Sequence, residues 1–191
     1  MAQVSTNEFK AGLKIEMDNQ PYNIVFNQFV KPGKGQAFNR VKIKNLLNGK
    51  VIEKTFKSGE KFTIAEIEET TMRMLYVDGE DVVFMHDETF DQVTLNKEGL
   101  GDTQTWLKDD TIYSMIFYKG EAISVEPPTF MELKVAETDP GAKGDTAQGR
   151  VLKPSVLETG AKVSIPIFIN QDEIIKVDTR SGEYVCRASE N

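Results

Sequence analysis

Short apolar–polar alternations broken by glycine-containing turn dipeptides recur along this chain, and that punctuation constrains its fold more than any other feature. Leu13-Lys14-Ile15-Glu16-Met17 alternates with period two and runs into Asp18-Asn19-Gln20-Pro21, after which Tyr22-Asn23-Ile24-Val25-Phe26 returns. Asn48-Gly49, whose two residues tolerate positive φ, precedes a strand over residues 51–56. Asp78-Gly79 splits residues 72–77 from 82–85, and Lys119-Gly120 splits 112–118 from 122–125. Near the end, Thr179-Arg180-Ser181-Gly182 separates residues 174–177 from 184–187. Helical periodicity is confined to residues 103–108, around Trp106 and Leu107. Many short strands at regular spacing predict a mainly β chain built of small barrels.

Two seams divide it. Glu126-Pro127-Pro128 is stiff punctuation between strand runs, and the acidic stretch 65–70 follows the last basic hairpin. The expected modules are 1–64, 65–127 and 128–191. Units this small bury a low fraction of their surface, so docking between them should add stability. The net charge of −7 hides an asymmetry. The first module carries 11 Lys and Arg against 5 Asp and Glu, the second 4 against 15, and the third 8 against 10. A basic end joined to an acidic middle would orient the molecule toward phosphate by long-range steering.

Several function classes recede on composition. One histidine, His86, and one cysteine, Cys186, leave no plausible zinc set and no internal disulfide, which fits a reducing cytoplasm. His86 reads as a turn residue at a strand end. Cys186 reads as a half-buried, inert strand residue, Trp106 as a buried anchor, and Met72, Met74, Phe84 and Met85 as core filling. No apolar run reaches the length of a membrane span, and residues 1–20 show no apolar leader core. Gly33-Lys34-Gly35 lacks both the following Ser or Thr and the upstream glycine of a phosphate-binding loop. A non-enzymatic, monomeric, cytoplasmic protein without cofactor is the expectation.

The most unusual segment is Val30-Lys31-Pro32-Gly33-Lys34-Gly35-Gln36-Ala37-Phe38. Pro32 fixes one φ, Gly33 is expected to supply the turn conformation, and Gly35 removes bulk beside Lys34. The result is a narrow loop with an amino group at its tip. Arg40, Lys42 and Lys44 then alternate with Val41 and Ile43, so three cations share one strand face while the apolar pair turns inward. Lys31 and Lys50 extend that stripe. Such a row suits an RNA phosphate backbone and positions it without reading sequence. No exposed aromatics cluster in this basic context at the level of sequence. Without further information Tyr184 and Arg187, three apart at a strand end, read as a surface pair.

Lys31-Pro32-Gly33-Lys34-Gly35-Gln36-Ala37-Phe38, Arg40-Val41-Lys42 and Glu53-Lys54-Thr55-Phe56 resemble the first domain of the bacterial elongation factor P family, related to the hypusine-containing factor of eukaryotes and archaea. Ile165-Pro166-Ile167-Phe168-Ile169 and the run from Ile175 through Thr179-Arg180-Ser181-Gly182-Glu183-Tyr184 to Arg187 resemble its C-terminal signature. Ser124-Val125-Glu126-Pro127-Pro128, Thr138-Asp139-Pro140-Gly141 and Gly144-Asp145-Thr146-Ala147 match in between, in collinear order. The resemblance implies an SH3-like (KOW-type) barrel followed by two OB-fold barrels in an L-shaped arrangement. It implies a factor that binds the ribosome, between P and E sites beside peptidyl-tRNA, and rescues synthesis of consecutive prolines. Lys34 would carry a β-lysyl or other amine-bearing extension added by a modifying enzyme. Pro32, Gly33, Gly35 and Gln36 would present it, with Lys31, Arg40, Lys42 and Lys44 on RNA. Gly144, Asp145 and Thr146 would lie by the E-site mRNA codon, and Tyr184 and Arg187 at the small-subunit end. Two alternatives stay open: an unmodified paralogue, and a general OB-type RNA-binding protein. The chain departs from the family at Gln171-Asp172-Glu173, where a glycine is usual and Asp172 is expected to tolerate the turn, and at Lys153-Pro154-Ser155.

Overall fold

The computed structural model describes residues 2–140 and 151–188. Its strands fall into three sheets, in keeping with the mainly β chain that the turn spacing predicts. The first holds β1 (Gln3–Ser5), β2 (Lys14–Met17), β3 (Gln20–Val30), β4 (Phe38–Asn45), β5 (Val51–Lys57) and β6 (Lys61–Ile64), in the order β1-β6-β2-β3-β4-β5. The second holds β7 (Ile67–Asp78), β8 (Asp81–Met85), β9 (Gln92–Asn96), β10 (Ile112–Tyr118) and β11 (Glu121–Glu126), in the order β11-β10-β7-β8-β9. The third holds β12 (Phe130–Thr138), β13 (Leu152–Leu157), β14 (Lys162–Pro166), β15 (Ile174–Asp178) and β16 (Glu183–Arg187), in the order β14-β13-β12-β15-β16. Its edge strands β14 and β16 come back against each other, so the sheet curls toward a barrel. By packing, the chain divides into two compact units, Met1–Thr70 with Met115–Ser124, and Thr71–Ser114 with Val125–Asn191.

The turns form for the local reasons the sequence suggests, with two shifts. Asp18 and Asn19 both take positive φ (53° and 58°), as do Lys119 and Gly120 (51° and 83°). These are tight hairpin turns whose twist matches the flanking strands. Asp78 instead pairs with Asp81, so the loop is Gly79-Glu80 and only Gly79 is left-handed. At Asn48-Gly49 only the glycine has positive φ. Asn45 accepts the Leu47 and Asn48 N–H groups at 2.8 and 3.3 Å, which widens that connection beyond two residues. Asp172 takes φ 69° without help from glycine.

The helical segment differs from its expected position. Tight 3-10 turns run over Lys97–Trp106 and break at Gly101. Asn96 caps them by accepting the Glu98 N–H at 3.0 Å. Tight turns broken by a glycine leave little 3.6-residue periodicity, so residues 103–108 alone stood out in the sequence. Trp106 is buried as expected, but in an unexpected place. It packs among Met131, Leu133, Val135, Leu157, Ile165, Ile169, Ile175 and Val177 of the third sheet. Tyr113 donates to the Trp106 carbonyl at 2.6 Å and accepts the Lys108 N–H at 3.0 Å. Lys108 donates to the Glu132 carbonyl at 2.9 Å and to Glu158 at 3.0 Å.

Met72, Met74 and Phe84 are core residues, while Met85 is half-buried. His86 is a turn residue whose Nδ1 accepts the Glu88 and Thr89 N–H groups, each at 3.2 Å. Cys186 is exposed rather than half-buried. A bulge between Lys176 and Val177 shifts the β15–β16 register, so Tyr184 pairs with Val177 but Cys186 pairs with Lys176. No helix among the described residues is long and apolar enough to cross a membrane.

The first sheet closes over Val4, Phe9, Ile15, Tyr22, Ile24, Val41, Ile43 and Phe56. Phe9, Phe56 and Phe62 stack edge-on or tilted around it, with centroids 4.8 to 6.3 Å apart. Buried Thr6 donates to the Lys57 carbonyl at 3.0 Å and accepts the Gly59 N–H at 2.9 Å, which pins the β5–β6 turn. Within the same unit, the Glu16 carboxylate accepts the Tyr118 hydroxyl at 2.7 Å and the Lys119 ammonium at 3.0 Å. These two donors hold its carboxyl below the usual carboxylate range. A carboxyl depressed on folding contributes stability above its unfolded pKa, near ~4.3, and loses it as pH falls through the folded value. Glu16→Gln should therefore lower the melting temperature at neutral pH and flatten the acid limb of a stability–pH profile below about pH 4.3. Thermal melts from pH 3 to 7 would check this.

Candidate nucleic-acid interface

The site is the β3–β4 hairpin. Val30 pairs with Phe38, and residues 31–37 form the loop beyond that pair. Lys31, Gly33, Lys34, Gly35 and Gln36 are exposed, and Pro32 is half-buried. The left-handed residue is Gly35, at φ 111°, and not Gly33, which has no positive φ. The roles expected of the two glycines are therefore exchanged. A side chain at Gly35 would meet only the Pro32 ring, at 3.8 Å, so backbone conformation and not space selects glycine there.

The base of the hairpin is held by a polar chain that was not visible in the sequence. Asn39, 1% exposed, donates to Asn27 at 3.0 Å, and Asn27 donates to the Phe9 carbonyl at 3.0 Å. The two arms are thereby fastened to each other and to the segment after the N-terminal turn. That turn, Thr6–Glu8, is itself fixed by a capping box between Ser5 and Glu8. The available signal was an asparagine in the same strand phase as Val41 and Ile43.

β4 alternates strictly. Asn39, Val41, Ile43 and Asn45 are buried, and Arg40, Lys42 and Lys44 are exposed. The three cations share the outer face as predicted, but they are not equivalent. Arg40 lies 3.7 Å from Glu53, an exposed pair of small energetic weight. Among the described residues, Lys31, Lys34, Lys42 and Lys44 form no ion pair. Lys50 is exposed just before β5 but lies opposite Asn45, one residue out of phase with the outward row, so the register does not extend the stripe to it.

One feature of this face escaped sequence reasoning. β3 carries a bulge between Ile24 and Phe26: Ile24 pairs with Ile43, yet Phe26 pairs with Lys42. Val25 is the extra residue. Phe26 therefore lies on the outer face, 46% exposed, whereas Phe29, 54% exposed nearer the loop, pairs with Asn39 and belongs to the opposite phase. Simple alternation from Tyr22 and Ile24 would have sent Phe26 inward.

Tyr184 and Arg187 belong to the third sheet, in the second compact unit. Tyr184 is half-buried against the core of the third sheet, and burial pushes its hydroxyl pKa up. Arg187 donates to Glu173 at 2.8 Å and to the Phe168 carbonyl at 3.0 Å, with its guanidinium 5.1 Å from the Phe168 ring. The two do not form a simple surface pair: one packs inward and the other is clamped. Gly144, Asp145 and Thr146 lie outside the described residues.

Backbone strain at Gly35 makes a direct prediction. Gly35→Ala should cost about 1–3 kcal/mol of local stability, whereas Gly33→Ala should be close to neutral. Hydrogen exchange across residues 30–38 of both variants would read the difference.

Comparison with known proteins covers nearly the whole chain. The family model described as the elongation factor P KOW-like domain matches residues 5–62. The elongation factor P OB domain matches residues 67–125, and the elongation factor P C-terminal model matches residues 131–187. The chain is 58% identical over 189 residues to elongation factor P 2 of Protochlamydia amoebophila, covering 99% of this chain and 100% of that protein. It is also 58% identical, with the same coverage, to elongation factor P 2 of Chlamydia pneumoniae. A solved translation initiation factor 5A family protein from Naegleria fowleri shares the fold over 65% of this chain and 94% of that chain, with a TM-score of 0.54 at 15% identity.

Proposed function

Since the chain belongs to the elongation factor P family of translation factors, we propose that it binds the ribosome between the P and E sites, beside peptidyl-tRNA, and stimulates peptide-bond formation at consecutive prolines. The observation that carries the reading is Lys34, an exposed amine without an ion partner among the described residues, at the tip of a hairpin whose base is fastened by buried asparagines. A lysine so placed reaches outward and is accessible to a modifying enzyme that extends it by an amine-bearing group. Behind it, Lys42 and Lys44 face solvent with their charges uncommitted, and Arg40 has only a weak partner. These cations grip tRNA phosphates and release condensed counterions.

Proline is a poor acceptor because its ring limits the approach of the attacking nitrogen. The factor supplies no reacting group. It holds the peptidyl-tRNA so that the reacting atoms align, which is catalysis by orientation within the ribosome's own peptidyl transferase centre. The acidic second module, with 15 Asp and Glu against 4 Lys and Arg, keeps RNA phosphates from binding in the wrong place. Modules 1–64, 65–127 and 128–191 act as hairpin-bearing, spacing and small-subunit parts. Gly144, Asp145 and Thr146 lie by the E-site codon, and Tyr184 and Arg187 lie at that same end. The factor works in the cytoplasm as a monomer.

Lys34→Ala should leave the melting temperature unchanged and abolish rescue of a reporter carrying consecutive prolines; full rescue by this variant would remove Lys34 from the mechanism. Intact mass of protein purified from its own host should exceed the sequence mass by one extension on the Lys34 peptide, and an unmodified mass would favour the paralogue reading. Lys42→Glu should weaken ribosome binding and make the slope of log affinity against log salt shallower by about one contact's worth or more. An unchanged slope would contradict the phosphate-gripping row.

A further inference from the structure

We propose that Phe26 is a stacking platform for one unpaired nucleobase of the RNA that the Arg40–Lys44 row engages. The inference rests on the reading of that row as a phosphate track, and adds to it a contact of different physics.

The β3 bulge is the observation that carries it. Tyr22 and Ile24 point into the core at 8% and 0% exposure, so an unbroken strand would bury the ring at position 26. Insertion of Val25 reverses the phase and sets Phe26 directly across from Lys42. Bulges re-aim side chains and are built features of a sheet. Here the result is an aromatic ring, 46% exposed, beside the middle cation of a basic row. Diagonal neighbours on the face are Arg40, through the Gln28–Arg40 pair, and Lys44. Among the described residues the cations found over aromatic rings are Lys119, Lys176 and Arg187, none of them over Phe26. Its face therefore remains available. The ring keeps about half of its surface in solvent and is not one of the side chains that close the first core.

Cations alone locate phosphates and accept a duplex or a single strand alike. An aromatic platform favours a strand whose bases are unstacked, because only those expose a π face. The combination of basic row and stacking ring selects single-stranded RNA. It sits on the first sheet rather than on the OB-type sheet, where such a platform is usually sought.

The experiment uses the full chain and two labelled probes, a single-stranded RNA of mixed sequence and a blunt RNA duplex of equal length. Binding is titrated over a series of salt concentrations. Phe26→Ala and Phe26→Leu should both weaken single-strand binding roughly five- to hundredfold, leave the salt slope unchanged, and leave duplex binding unaltered. Phe26→Trp should restore the affinity. Leucine keeps the apolar bulk without a π face, so equal loss in Leu and Ala identifies stacking and not packing. Lys42→Glu should weaken both probes and lower the slope. Wild-type affinity in Phe26→Ala overturns the stacking proposal, and so does an intact protein that fails to bind the single strand at low salt. If Lys42→Glu still loses affinity in the first of these cases, the phosphate track stands without the ring; if neither variant loses affinity, both readings fall.

Discussion

Val41 and Ile43 lie fully buried in β4 between two buried asparagines, and this inward phase is the constraint on which the amino-terminal end depends. A register slip of one residue would drive Arg40, Lys42 and Lys44 into an apolar interior, where unpaired charge is prohibitively costly. The pairing of β4 with β3 and β5 on both sides therefore does two things at once. It completes the first core, and it commits three cations to solvent. The hairpin loop inherits its direction from the same pairing, because Val30 and Phe38 close the ladder immediately beneath it.

Stability and exposure are arranged separately in this hairpin. The fastening groups, Asn27 and Asn39, lie below the loop and bond inward, toward Phe9. The loop itself has few anchors beyond its backbone geometry. Its positive φ at Gly35 allows the chain to reverse without a bulky residue near Lys34. A rigid stalk with a slender tip follows from those two facts. The charge row extends along the stalk rather than the tip, so whatever the row binds lies beside the lysine's path and not in front of it.

Much of this was legible in the sequence, and the omissions share one physical origin. Strict alternation in residues 40–44, the glycine turns and the collinear motifs sufficed to predict a mainly β chain with its cations outward. What the sequence did not reveal were phase changes. The bulges in β3 and between β15 and β16 add one residue to one strand, and whether a strand bulges is decided by its partner's packing. Cys186 was expected half-buried for want of that shift, and the outward turn of Phe26 went unread. The exchange of roles between Gly33 and Gly35 is similar: either glycine permits positive φ, and the closure geometry of the whole loop chooses between them. The turns over Lys97–Trp106 carry too little periodicity to be read.

Trp106 lies before the Glu126-Pro127-Pro128 seam in sequence, yet its indole is embedded in the core beneath β12 and β15. The proline pair is therefore not a clean line of fracture for this core. Dissecting this protein at that seam would strip the third sheet of one of its own interior side chains and leave a cavity of indole size. A carboxy-terminal piece that keeps this core whole must carry the 97–106 turns with it, so that the segment bearing the tryptophan travels with the strands it completes.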